Sequence, residues 1–146
     1  MSRADYHEAL SASVAIKVPF FDLDPAGVVW HGRYFQYFEL ARCKLLESLG
    51  YSYREMEASG RLWPMADCKV RYLRPLVLDQ QATVTACLRE WELRIVVDYR
   101  ITDSDGRLVT RARTVQVPVL ADTLELTLGA PQAFIDAVNA RLRQGS

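Results

Sequence analysis

Apolar positions along the chain change period twice, and the changes divide it into elements. In the run VAIKVPF, Val14, Ile16, Val18 and Phe20 alternate onto one face, which predicts a strand over 14–20 with Pro19 marking an edge or an end. Over 32–49 the period becomes three to four. Tyr34, Phe38, Ala41, Leu45 and Leu49 form an apolar stripe, Arg33, Gln36, Lys44 and Glu47 lie opposite, and Gly50 supplies a stop. Tyr37, Leu40 and Leu46 widen the stripe, so this longest helix is expected to be enclosed on more than one side.

From Trp63 onward the period is two. Four strand-like runs follow, WPMADCKVRYLRP, QQATVTACLREWEL, RIVVDYRITD and RLVTRARTVQVPVL, with breaks at Pro75 to Asp79 and at Trp91-Glu92, and a hairpin at Asp103-Ser104-Asp105-Gly106. The simplest connection of these runs is a four-stranded meander. A final helix is predicted in PQAFIDAVNARLR, with Pro131 at its first position and Phe134, Ile135, Val138 and Leu142 on one face. The fold class is therefore α+β, one domain over residues 1–146, with an antiparallel sheet of about five strands curled around one long helix and a short C-terminal helix. A sheet of that kind leaves edges and an open face, which predicts pairing with a second subunit.

Composition narrows the partners. Half of the 146 residues are hydrophobic and a quarter are charged, a balance that supports a packed core. Eighteen basic and eighteen acidic residues cancel, so there is no global field for nucleic acid or an anionic membrane surface. Cys43, Cys68 and Cys87 are odd in number and lie in apolar surroundings, which suits reduced thiols and a cytoplasmic location. The N-terminal stretch lacks the apolar segment of a signal peptide, and no run of about 18 apolar residues suggests a membrane span.

The stretch FDLDPAGVVWHGRYFQYFEL concentrates the chemistry. Asp22 and Asp24 precede a Pro-Ala-Gly turn and a helix start. Either could cap the turn through backbone N–H groups, as Asx residues do. Alternatively one of them acts on a substrate carbonyl, where the unpaired N–H groups and positive dipole of the helix start would receive an oxyanion. Gly27 would let backbone approach the substrate, and His31 could donate a hydrogen bond or orient a water; it could equally be an ordinary helix-start histidine. No nucleophile elbow, phosphate-binding glycine loop or metal-ligand set is visible, and the other histidine, His7, lies in a stretch expected to fray.

The run Asp22-Leu23-Asp24-Pro25-Ala26-Gly27-Val28-Val29-Trp30-His31, with Glu39-Leu40-Ala41-Arg42 after it, resembles the active-site signature of the hotdog-fold acyl-CoA thioesterases, in particular the 4-hydroxybenzoyl-CoA thioesterase and YbgC-like group. The resemblance extends over about 14–119 and includes Tyr72-Leu73-Arg74-Pro75 and the Asp-Gly hairpin. It implies a hotdog fold, thioester hydrolysis without a cofactor other than the coenzyme A of the substrate, and a homo-oligomer, dimer or tetramer. Asp24 matches the carboxylate that attacks the thioester or activates water, and the helix start near His31 matches the oxyanion site. His31 matches the histidine of the YbgC-like branch, where the 4-hydroxybenzoyl branch has tyrosine. Glu39 and Trp91 match positions near the acyl group, although Glu39 could instead pair with Arg42 and Trp91 could be core.

This leaves Asp22 as the turn residue and Asp24 as the carboxylate of the reaction. Arg89, Arg94, Arg111 and Arg113 are possible partners for the coenzyme A phosphates, and an acyl carrier protein could replace coenzyme A. Trp30, Tyr34, Phe35, Tyr37, Phe38 and Trp63 offer aromatic lining or packing. The competing readings are a hotdog enoyl-thioester hydratase, against which the seven-residue Asp24 to His31 spacing argues because such hydratases use five, and a non-catalytic acyl-thioester binding module.

Overall fold

The computed structural model describes residues 6–144. The central sheet has five antiparallel strands: β1 (Ser11–Lys17), β3 (Met65–Tyr72), β4 (Gln81–Glu90), β5 (Ile95–Asp103) and β6 (Leu108–Gln116), in the order β1-β4-β5-β6-β3. A small sheet pairs β2 (Arg61–Leu62) with β7 (Val119–Leu120). The helices are α1 (Tyr34–Ser48), α2 (Tyr53–Ala58) and α3 (Gln132–Gln144). Among the described residues no helix is long and apolar enough to cross a membrane.

The alternation read in the sequence is the alternation that builds the core. Val84, Ala86 and Leu88 of β4 and Ile95, Val97, Tyr99 and Ile101 of β5 are almost completely buried, and Phe38, Ala41 and Leu45 of α1 face them. Phe38 meets Tyr99 with ring centroids 4.9 Å apart. α1 packs on β1 and β4, the half of the sheet that carries Ala12, Val14 and Ile16 inward. This is the hotdog arrangement.

Four local expectations are corrected. The first strand ends at Lys17, because Pro19 has no N–H to donate and the chain turns into a short 3₁₀ segment, Phe20–Asp22. α1 is preceded by a 3₁₀ turn, His31–Arg33, so regular helix starts two residues later than predicted. Leu40 is 55% exposed and does not widen the buried stripe. The meander holds only for β4, β5 and β6, since β3 crosses over to pair with β6 at the far edge. Register between strands distant in sequence is decided by packing, which the alternation within each strand does not encode.

The N-terminal and C-terminal segments meet at the end of the molecule where α1 stops. His7 Nδ1 accepts the Ala9 N–H at 3.2 Å and caps a 3₁₀ turn, so His7 itself belongs to a hydrogen-bonded element; residues 1–5 of the stretch expected to fray lie outside the described residues. In α3, Phe134 stacks on Tyr51 at 4.5 Å and Arg141 donates to the Ser48 carbonyl at 3.1 Å. The start of α1, at the opposite end, is left accessible.

Candidate active site

The turn before α1 is a hydrogen-bonded device. The Asp24 N–H donates to the Val28 carbonyl at 2.8 Å, and the Gly27 N–H donates back to the Asp24 carbonyl at 3.0 Å. Gly27 has φ +82°, a conformation that side chains with a Cβ rarely adopt, and this is why a glycine closes the Asp-Pro-Ala-Gly turn. Asp24 Oδ1 accepts the Ala26 N–H at 2.8 Å, an Asx turn that fixes the carboxylate's orientation. No hydrogen bond from a described residue engages Oδ2 of Asp24.

The turn role expected of Asp22 falls to Asp24 instead. Asp22, read as the turn residue, is 4% exposed and turns toward α1, where Tyr37 Oη donates to it at 2.5 Å and Arg33 Nε lies 3.1 Å away. Its backbone carbonyl accepts the Trp30 N–H at 2.9 Å. Asp22 therefore ties the loop to the first turns of the helix, while the turn itself is held by Asp24. Burial and the adjacent Asp22 carboxylate push the Tyr37 phenol far above its ordinary value, so Tyr37 remains a neutral donor.

Asp24 and His31 line one cleft of about 330 Å³, together with Val28, Val29, Tyr34 and the segment 72–75. Three contacts set its walls. The Val29 N–H donates to the Leu76 carbonyl at 2.9 Å, Tyr72 Oη donates to the His31 carbonyl at 2.6 Å, and the Tyr34 and Tyr72 rings meet edge to face at 4.9 Å. The end of β3 is thus fastened to the start of α1. The His31 ring is exposed and lies 5.2 Å from that of Trp30, whose indole covers Gly32 so closely that a Cβ there would collide with it. N–H groups in the first turn of a helix have no acceptor within it, and those of His31 and Gly32 occupy that position. A second cleft, of about 360 Å³ between the ends of β1 and β4, contains Lys17 but no carboxylate or histidine.

The other expected substrate residues are not gathered there. Gly27 shapes the turn without lining the cleft. Glu39 is exposed one helical turn past Phe35 and accepts from Tyr53 Oη at 3.3 Å; its possible partner Arg42 points inward instead. Trp91 packs against the core just past the end of β4, in the connection to β5. Of the aromatic residues, Tyr34 lines the cleft, Tyr37 is committed to Asp22, and Trp63 donates to Tyr51 Oη at 3.0 Å near α3. Arg89 and Arg113 both bind Asp98, and Arg94 pairs with Glu90. The guanidinium of the cleft is that of Arg74, whose signal was its place in the Tyr72-to-Pro75 run rather than any charge pattern.

Comparison with known proteins gives the family and the fold. The sequence profile of the thioesterase-like superfamily matches residues 18–141. YneP of Bacillus subtilis (strain 168) is 30% identical over 105 residues, covering 71% of this chain and 76% of its own. Acyl-CoA thioester hydrolase YbgC of Escherichia coli O157:H7 is 25% identical over 130 residues, covering 88% of this chain and 93% of YbgC. The crystal structure of the DHNA-CoA thioesterase from Staphylococcus aureus superposes with a TM-score of 0.78 at 26% identity, covering 93% of this chain and 95% of that one. Fold and relatives together define a hotdog domain of the thioester-hydrolase class. The chain belongs to the thioesterase-like superfamily.

Proposed function

We propose that the protein hydrolyses an acyl-CoA thioester at the cleft where α1 begins. The observation that carries this reading is that Asp24, held by its own Asx turn, shares one cleft with the first turn of α1 and His31. The named activities of YbgC and the DHNA-CoA thioesterase support the same class.

In the proposed reaction the thioester oxygen lies against the N–H groups at His31 and Gly32, which stabilise negative charge as the carbonyl carbon becomes tetrahedral. Asp24 acts in one of two ways. As a nucleophile its oxygen forms a mixed anhydride while the carbon–sulfur bond breaks, and water then cleaves the anhydride; as a general base it takes a proton from the water that attacks. In both routes water supplies the second oxygen of the product acid, a proton from that water ends on the leaving thiolate, and Asp24 is returned as a carboxylate. His31 would orient the water or the thioester. The chemistry needs no cofactor beyond the coenzyme A portion of the substrate, and the three free cysteines fit work in the cytoplasm.

Glu39, exposed on α1 and outside the cleft lining, would contact only a part of the acyl group that extends beyond the cleft. Trp91, away from the cleft, would have to act from a second subunit. Release of thiol from a panel of aromatic, short-chain and long-chain acyl-CoAs, run beside the same acyl groups on a carrier protein, tests the function. At least one acyl-CoA should be turned over with kcat/KM of about 10⁴ M⁻¹s⁻¹ or more; turnover confined to the carrier-protein thioesters would reassign the substrate, and no thiol release from any would refute it.

The proposed assembly is a dimer or tetramer. β3 stands at one end of the sheet with its outer edge unpaired, and Met65 and Tyr72 on it are each close to half exposed. Edge strands of this length are normally covered or paired. Light scattering should give a molar mass two or four times that of the chain, and a monomer at micromolar concentration would contradict the assembly.

A further inference from the structure

Hydrogen bonds in the 3₁₀ turn before α1 single out one peptide. The N–H groups on either side of it are taken: that of Trp30 donates to the Asp22 carbonyl at 2.9 Å, and that of Arg33 to the Trp30 carbonyl at 2.9 Å. The N–H groups of His31 and Gly32, between them, meet no acceptor among the described residues. The His31 carbonyl is held by a side chain 41 positions later, Tyr72, whose Oη donates to it at 2.6 Å. A trans peptide carries its C=O and N–H on opposite sides of one rigid plane, and the described residues include no cis bond. The hydroxyl that holds the His31 carbonyl therefore also fixes where the Gly32 N–H points. It makes that N–H a stronger donor as well, because hydrogen bonds in series polarise one another.

The sheet holds that hydroxyl in place. Tyr72 is the last residue of β3, opposite Thr110 of β6, and the two residues after it both donate to the Val109 carbonyl, Leu73 at 2.9 Å and Arg74 at 3.0 Å. Its ring meets that of the buried Tyr34 edge to face, and burial raises its phenol above the ordinary value, so it stays a donor across the neutral range. The Trp30 indole packs so closely on Gly32 that no side chain fits there, which confines the same peptide further. Anchorage alone does not account for the Tyr72 bond. The loop is already tied to the segment after β3 by the Val29 N–H on the Leu76 carbonyl and by the bridge between Val28 and Val77. What the bond adds is the orientation of one peptide, beside the cleft that Tyr72, His31 and Asp24 line together. It lies within one chain, on the inner side of β3, and does not depend on the pairing proposed for the outer edge.

We propose that Tyr72 is a positioning residue for thioester hydrolysis: its hydroxyl orients and polarises the His31–Gly32 peptide so that the Gly32 N–H serves as an oxyanion donor. Tyr72 acts through the peptide rather than on the reacting atoms. A donor aligned in advance stabilises the charge that develops on the thioester oxygen and adds little to ground-state binding. The inference rests on the thioesterase reading.

Tyr72→Phe removes the hydroxyl and keeps the ring against Tyr34. The donor is weakened rather than removed, so kcat should fall about tenfold, less than the loss of an oxyanion donor outright costs. KM should stay within about twofold of the wild type. A second readout separates alignment from fastening. In Asp24→Asn, where the acyl-CoA stays bound, the infrared stretch of its isotope-labelled thioester carbonyl should lie below the value for the free thioester. Adding Tyr72→Phe should move it back toward that value. Unchanged kcat in Tyr72→Phe, or a loss of kcat with the carbonyl stretch unmoved, overturns the proposal and leaves the thioesterase reading intact. If the wild type hydrolyses no acyl-CoA, that reading fails by itself, and the infrared comparison is made with benzoyl-CoA on the wild type and Tyr72→Phe. A carbonyl shift that depends on the hydroxyl supports the donor peptide alone, and absence of such a shift overturns it as well.

Discussion

Asp98→Ala should destabilise the fold by about 3 kcal/mol, a fall in melting temperature of about 6 to 12 °C for a chain of this size. Asp98 lies on β5, on the sheet face away from α1, and its carboxylate is 4% exposed. Arg113 grips both of its oxygens, at 2.6 and 2.9 Å, and Arg89 Nε donates at 3.0 Å. Removing the carboxylate leaves two partly exposed guanidinium groups facing each other, with Arg111 and Arg100 directly paired in the adjoining row. Because the arginines retain access to water, the loss belongs at the lower end of what breaking a buried ion pair costs.

The same group gives a pH dependence with a definite sign. Burial acts to raise the Asp98 pKa, but hydrogen bonds and charge from Arg113 and Arg89 outweigh it, and the carboxyl is held below its ordinary value. A depressed folded-state pKa means that the stabilisation is complete above about pH 4, the value for an unfolded aspartate, and is lost as pH falls through the lower folded value. Thermal melts between pH 7 and pH 3 should show wild-type stability falling on the acid side, with a shallower fall in Asp98→Asn. Parallel profiles would remove Asp98 as a source of acid sensitivity.

What could be read in the sequence followed local rules. Period two and period three to four located β1, α1, β4, β5, β6 and α3, and the Asp-Gly hairpin appears with Asp103 Oδ1 accepting the Asp105 and Arg107 N–H groups. The crossover of β3 to the far edge depends on which strand covers which side of α1, information that no single segment carries. α2 was missed because its six residues contain one buried side chain, Met56, too little to produce a period.

The candidate site divides in the same way. Asp-Pro-Ala-Gly announces its turn through residue chemistry alone, and Asp24 with His31 fall in one cleft as a consequence of that turn. Asp22 was misread because its partners, Tyr37 and Arg33, reach it only after α1 folds back on the loop. Arg42 was weighed only as a surface partner for Glu39, three residues away. At that spacing either residue can face inward, and the side chain that turned in was the arginine, toward Tyr99 on a strand 57 residues later in the chain. Tyr72 and Arg74 carried no chemical signal of their own and join the cleft because β3 ends beside the helix start.

Asp24→Asn should lower kcat by a factor of about 10³, the middle of the range for loss of an acid–base group. Asparagine is the appropriate replacement because its side-chain oxygen can still accept the Ala26 N–H, so the Asx turn, the Gly27 conformation and the position of His31 are kept while the negative charge is lost. KM should change little, since the proposed oxyanion donors and cleft walls are unaltered, and the melting temperature should stay within a few degrees of the wild type. The central claim, that this carboxylate drives thioester hydrolysis, is tested most directly by thiol release from the best acyl-CoA of the panel, measured for wild type and Asp24→Asn at equal concentrations of folded protein. The wild type should turn over and the variant should run at about a thousandth of its rate; equal rates in the two proteins would rule out Asp24 as the reacting carboxylate.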